Sequence, residues 1–178
     1  GDEVFAVILP DDLIMSDIPC LAQMLVGQRE VGGNFVGIVD VASDETHMYG
    51  ILQAGNVKDD LVKIESMVEK PRPGEAPSNL AIVGRYILHA EIFDILERQL
   101  AGVGEEIQLT EALNSMLPTQ DFYGLRFKGV RYDCGDKVGL LEANIACSLR
   151  RKDLNLRVRR MVARVVATDP TGGGDTCR

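Results

Sequence analysis

Residues 4 to 9, Val-Phe-Ala-Val-Ile-Leu, are apolar without a break, and Pro10-Asp11-Asp12 stops them at once. A strand with one wet face alternates, whereas a run that is apolar at both parities suits a central strand covered on both sides. Proline cannot continue such a strand. The pattern recurs along the chain. Residues 35 to 42, 61 to 69 and 80 to 87 read as further strands, and 50 to 53 as a short one. Between them lie stretches at helical spacing. Residues 16 to 31 have Ser16 as a cap and Leu21 and Leu25 on one face. Residues 90 to 100 place Ile92, Phe93, Leu96 and Leu100 together, and 109 to 117 form a shorter helix. Residues 121 to 127 and 130 to 133 read as a hairpin or adjacent short strands around Lys128-Gly129. Residues 136 to 151 form the strongest helix, with Val138, Leu141, Ile145 and Leu149 as its buried stripe. A basic amphipathic helix over 156 to 166 follows, and 169 to 178, with three successive glycines, reads as a flexible tail. Strands alternating with helices predict an α/β fold, a mainly parallel central sheet flanked by helices.

A chain of 178 residues is long enough to bury roughly 70% of its extended surface in one domain. Its net charge of -8 argues against non-specific nucleic-acid binding, which wants a positive surface. The arginines at 150, 151, 157, 159 and 160 read as a solvated helix face or a subunit contact. Cys20, Cys134, Cys147 and Cys177 show no CxxC spacing and read as free thiols of a reducing cytoplasm. With His47 and His89 as the only histidines, they make no recognisable zinc set. No apolar stretch approaches the roughly 20 residues that span a bilayer, and no signal peptide is visible. Neither a GxSxG elbow nor a Walker loop is present.

The chemistry concentrates in three segments. In sheets of this class ligands bind beyond the carboxyl ends of strands, and Asp11 stands at such an end. Its hard oxygens suit Mg²⁺, which takes one or two carboxylates together with phosphate oxygens. Asp12 competes for that role, but a turn or helix-start role fits it better. Asp133, in Tyr132-Asp133-Cys134-Gly135, either bonds its own turn or completes the same ion from afar. Glu69 and Lys70 lie between an apolar run and Pro71. Adjacent residues of a strand point to opposite faces, so they can share one ligand only if the strand ends there, as Pro71 implies. A carboxylate beside an ammonium can grip a sugar hydroxyl and a phosphate, although a surface ion pair would use the same residues. Asn79 offers an amide to sugar hydroxyls. Tyr49-Gly50 offers close backbone approach, and Gly84 omits a Cβ where a sugar could lie. Glu106 and Gln108 precede a helix start, where capping or packing is as good a reading as catalysis.

LPDD at 9 to 12, YG at 49 to 50, VEKP at 68 to 71, APSNLAIVGRYIL at 76 to 88, GEEIQLTEAL at 104 to 113 and YDCGDKVGLLEA at 132 to 143 together resemble the bacterial UTP–glucose-1-phosphate uridylyltransferases. The likeness runs from about residue 4 to 165, and its specificity lies in the combination. It implies a partial Rossmann-like nucleotidyltransferase fold, with residues 1–168 as the catalytic, sugar-binding portion of one domain. It also implies formation of UDP-glucose and pyrophosphate from UTP and glucose 1-phosphate. By the same resemblance Asp11 and Asp133 hold Mg²⁺, Glu69 binds glucose hydroxyls, Lys70 contacts the sugar phosphate, and Asn79, Tyr49 and Gly50 line the sugar pocket. A cytoplasmic homodimer or homotetramer is implied, without nucleic acid or membrane. The family's glycine-rich nucleotide-binding loop is absent from this sequence. Transfer to a different sugar 1-phosphate, or a non-catalytic piece that keeps sugar-binding and interface elements, therefore remains an alternative.

Overall fold

The structure, a computed structural model, describes residues 3–98 and 108–168. The chain divides into two compact units, with the boundary after Arg131. The expected tail at 169–178 lies outside the described residues. In chain order the elements are β1 (Phe5–Ile8), β2 (Asp12–Met15), α1 (Cys20–Val31), β3 (Asn34–Asp40), a 3-10 turn (Thr46–Met48), β4 (Gly50–Lys58), β5 (Leu61–Glu69), β6 (Leu80–Leu88), α2 (Ile92–Arg98), α3 (Leu109–Met116), β7 (Phe122–Arg126), β8 (Val130–Asp133), α4 (Lys137–Arg150) and α5 (Asn155–Thr168).

The α/β class stands, but the sheet is mixed. Six strands lie in the order β1-β6-β3-β7-β5-β4. Only β3 and β7 pair in parallel among the described strands of this sheet. The reason lies in the connections. A parallel pair needs a crossover of a dozen or more residues, whereas β4 and β5 are joined by the tight turn at Asp59-Asp60, Asp59 having φ 55°. β1 and β3 do run the same way, but antiparallel β6 lies between them.

β1 is also not the central strand its sequence predicts. Its one strand neighbour among the described residues is β6, and Ile8 is 56% exposed. Residues 12 to 15, of which Asp12 alone was given a role, as a turn or helix-start residue, form the strand β2. α1 consequently starts at Cys20 behind Pro19, and Ser16 donates its hydroxyl to the Ile18 carbonyl rather than capping. β7 and β8 are not a hairpin: β7 sits between β3 and β5, and β8 belongs with β2.

The large sheet has two covered faces. On one, Ile38, Leu52, Ile82 and Leu88 pack with Leu113 and Met116 of α3. On the other, Phe35 and Ile87 pack with Cys20 and Met24 of α1. Burial pushes the Cys20 thiol up to about 11, against a smaller opposing pull from the Arg85 charge. The thiolate is thus disfavoured in the fold relative to the unfolded chain. Stability should therefore fall as pH rises from about 9 towards 11, once the unfolded thiol ionises and the folded one does not. Urea midpoints at pH 7 and pH 10 check this, and Cys20→Ala should show a smaller drop than the wild type.

In the second unit, Asp136 caps α4, accepting from the Val138 and Gly139 amides at 2.8 and 2.9 Å. The stripe predicted for this helix is buried only in part, Ile145 and Leu149 being half-buried. Val138 and Leu141 are exposed, and Ala143 is the buried residue of the helix. Helical periodicity identifies an apolar face without supplying what covers it.

Candidate functional site

The site grows out of a junction on β6. One edge of β6 is taken by β3 along nearly its whole length. β1, opposite residues 85 to 88, and β4, whose Ile51 pairs with Ala81, must share the other edge. Both run antiparallel to β6, so the carboxyl end of β1 faces the start of β4 across residues 82 to 84. A strand ending against a strand beginning leaves side chains and backbone groups free to converge.

Asp11 and Asp12 leave the end of β1 at this junction, and they differ sharply. Asp11 is exposed, whereas Asp12 is 7% exposed. The Asp12 Oδ2 accepts the Gly84 amide at 2.6 Å, and Oδ1 accepts from Arg131 Nε in an ion pair. Arg85 fastens the same turn, donating to the Leu9 carbonyl at 3.1 Å and to the Asp12 carbonyl. With both oxygens of Asp12 committed within the chain, Asp11 is the carboxylate of this pair that faces outward. Gly84 has an internal reason to be glycine: a Cβ there would lie 2.5 Å from Leu9 Cβ and 2.8 Å from Asp12 Oδ2.

Glu69 and Lys70 arrive from the other side. β5 ends at Glu69, which pairs with Gly50 at the start of β4. Lys70 then takes φ 45°, and its amide donates to the Tyr49 carbonyl at 3.0 Å. A left-handed lysine before a proline costs about 1–3 kcal/mol, so the surroundings must enforce it. The turn breaks the alternation that would have sent neighbouring side chains to opposite faces. Glu69 is in turn held by Thr110 of α3, whose hydroxyl donates to Oε2 at 2.5 Å. A Cβ at Gly50 would come within 3.0 Å of that oxygen and 3.1 Å of the Thr110 hydroxyl.

Tyr49 closes the arrangement, its ring lying 5.1 Å from the Arg131 guanidinium carbon. Tyr86 is buried on β6. Burial first, and then the charges of Glu69, Asp12 and Asp11, push its phenol well above the ordinary tyrosine range. Opposite charge within the cluster comes from Lys70, Arg85 and Arg131, so the junction mixes anions and cations rather than forming an acidic hole.

Asn79 does not join this group. Gly50 stands opposite Ile82 in the β4–β6 register, three residues from Asn79, or roughly 10 Å along a strand. The Asn79 amide is engaged with Ser43, donating to its hydroxyl at 3.1 Å. Asp133 lies in the second unit, where its Oδ1 accepts the Gly135 amide at 3.1 Å. Gln108 precedes α3 without a side-chain capping bond, and Glu106 lies outside the described residues. Among the described residues no three His, Cys, Asp or Glu side chains gather as a metal cage, but an ion shared with phosphates needs fewer. No helix there is long and apolar enough to cross a membrane.

The sequence pattern gives Arg131 and Thr110 no role of their own. Each sits inside or beside a quoted motif, Thr110 within GEEIQLTEAL and Arg131 directly before Tyr132-Asp133, and that adjacency was the available signal.

Residues 1–148 match the nucleotidyl transferase family. The chain belongs to it. The UTP–glucose-1-phosphate uridylyltransferase of Staphylococcus epidermidis is 40% identical over 162 residues, which is 91% of this chain and 56% of that relative. A UDP-glucose pyrophosphorylase solved with UDP-glucose superposes with a TM-score of 0.80 at 40% identity, over 85% of this chain and 58% of the other. A UTP-bound enzyme of the same name from Acinetobacter baumannii gives 0.80 at 30% identity, over 93% of this chain and 57% of its own. This nucleotidyl transferase chain therefore spans a little over half the length of the relatives it matches. The mixed sheet and its flanking helices are the architecture shared with those structures.

Proposed function

We propose that this chain carries the sugar-phosphate half of a uridylyltransferase that makes UDP-glucose and pyrophosphate from UTP and glucose 1-phosphate. The observation that carries the reading is the Glu69-Lys70 corner. There a lysine held in the left-handed region directly follows a carboxylate that Thr110 already orients. In this reading Glu69 Oε1, the oxygen not bonded to Thr110, accepts a sugar hydroxyl. The Tyr49-Gly50 backbone lets the ring approach closely, and Gly84 serves by holding Asp12. Asn79 meets only a ligand that extends past Gly50. The Lys70 ammonium balances the sugar phosphate as its oxygen attacks the α-phosphorus of UTP in line. That nucleophile is already an anion, so no side chain has to remove a proton.

In this reading the metal is Mg²⁺, and Asp11, exposed after β1, and Asp133 would hold it through hard carboxylate oxygens. When bound, the ion would offset the charge gathered between the two phosphates. The remaining contribution is positioning. The same reading places the protein in the cytoplasm as a homodimer or homotetramer.

Calorimetric titration of the chain with UDP-glucose, with and without Mg²⁺, tests the proposal beside Asp133→Ala. Binding that needs the metal and disappears in the variant is the expected result. A folded chain that ignores UDP-glucose at millimolar concentration would refute it.

A further inference from the structure

Arg131 has a position that the chemistry above does not use. Its side chain is 14% exposed and the side chain of its partner Asp12 8%. An arginine drawn into the protein to this degree is retained only where its fork is satisfied on several sides. Here Nε binds the Asp12 carboxylate, the guanidinium carbon lies 5.1 Å from the Tyr49 ring, and Nη1 reaches the Tyr49 hydroxyl at 3.4 Å. Asp12 is fixed in its turn by the Gly84 amide. The Tyr49 carbonyl then receives the amide of Lys70 at 3.0 Å, in the left-handed turn that sets the lysine beside Glu69. A continuous line of contacts thus runs from the middle of β6 through Asp12, Arg131 and Tyr49 to Lys70.

We propose that Arg131, clamped by Asp12, is a positioning residue that sets the Lys70 ammonium for the phosphate of the sugar phosphate by holding Tyr49 in place. The inference rests on the sugar-phosphate reading of the Glu69-Lys70 corner. Its physical content is that a strained lysine turn needs a fixed carbonyl to bond to. The Tyr49 backbone is held on one side by its amide bond to the Thr46 carbonyl at 3.3 Å and on the other by β4, and the ring is the further handle that fixes its carbonyl. Cation–π contact and a hydroxyl hydrogen bond restrain the ring, and the ring restrains the backbone that carries that carbonyl. Lysine could not do the same, because it lacks the planar fork that bonds Asp12 at one edge while covering the ring.

A double-mutant cycle on the 178-residue chain tests this, read by ligand-observed NMR with glucose 1-phosphate and with glucose. Arg131→Gln should weaken glucose 1-phosphate by about tenfold and leave glucose unchanged, because only the phosphate contact depends on Lys70. Lys70→Gln should do the same. The double variant should bind no more weakly than Lys70→Gln alone, since the arginine acts through the lysine. Fold-changes that multiply in the double variant would overturn the inference, and so would an equal loss for glucose, which is what a merely structural role predicts. Should Arg131→Gln fail to fold, Arg131→Lys carries the same cycle, with the same expected non-additivity. A wild-type chain that does not bind glucose 1-phosphate would overturn the functional reading and this inference with it. Wild-type binding that Arg131→Gln leaves unchanged would overturn the inference alone.

Discussion

Asp12→Ala is expected to destabilise the first unit by about 3–5 kcal/mol, enough to unfold much of a marginally stable domain at room temperature. The substitution deletes a carboxylate that does two jobs. Oδ2 satisfies the buried Gly84 amide, and Oδ1 neutralises Arg131, whose side chain is 14% exposed. Removing it leaves the guanidinium without its counter-charge and the amide without an acceptor, and each loss is expensive away from water. Arg85 makes matters worse, because its guanidinium already bonds the backbone carbonyls of the same turn. Residue 12 would then be held by two cations, one at its backbone carbonyl, with no carboxylate to offset them. Asp12→Asn separates the contributions: the amide oxygen can still accept from Gly84, so it should recover part of the loss but not the charge pairing. Urea denaturation of the three proteins checks the order, wild type above Asn above Ala. An alanine variant within about 1 kcal/mol of wild type would show that water replaces the carboxylate, and that the pair does not organise the junction.

The parts of this structure that could be read from the sequence are those governed by near neighbours along the chain. Residues 61 to 69 alternate and then meet Lys-Pro, and β5 occupies that very span. Asp136 before an apolar-periodic stretch reads as a cap, and it does cap α4. The strand-end position of Asp11 and the breaking of alternation at Glu69-Lys70 were legible for the same reason: proline acts locally.

What escaped depends on pairings between distant residues. The Asp12–Arg131 bond joins positions 119 residues apart. Nothing in the composition of either neighbourhood announces it, so Asp12 read as an ordinary turn residue. Strand direction is hidden likewise. An apolar run fits a parallel or an antiparallel neighbour, and only the insertion of β6 between β1 and β3 decides. Gly84 illustrates the ambiguity of a single residue. Its missing Cβ suggested room for a ligand, whereas Leu9 and Asp12 occupy that space. Register, finally, separates Asn79 from Gly50, which proximity to VEKP in the sequence did not reveal.

Gly139→Ala offers the sharpest contrast between local propensity and packing. In a helix interior this exchange ordinarily stabilises by about 1 kcal/mol, since glycine has more backbone freedom to lose. Gly139 lies in the first turn of α4, where its amide bonds the Asp136 cap. A Cβ on it would fall well inside 3.0 Å of the Asp133 carbonyl oxygen and 3.0 Å from the Asp133 carbonyl carbon. Those are backbone atoms and cannot rotate aside as a side-chain tip would. Either the helix start or the turn carrying Asp133 must move. The expected result is a loss of about 1–3 kcal/mol from overpacking, with the sign opposite to the propensity argument. The displaced turn should also carry the Asp133 carboxylate away from its place. Mg²⁺-dependent binding of UDP-glucose should then fall nearly as far as in Asp133→Ala, although the carboxylate itself is intact. Thermal melting followed by circular dichroism reads the first effect and calorimetry the second. A Gly139→Ala chain that melts at or above the wild-type temperature would show that α4 accommodates the methyl by a small rotation. Unchanged binding in that same variant would mean that the position of residue 133 does not govern the metal.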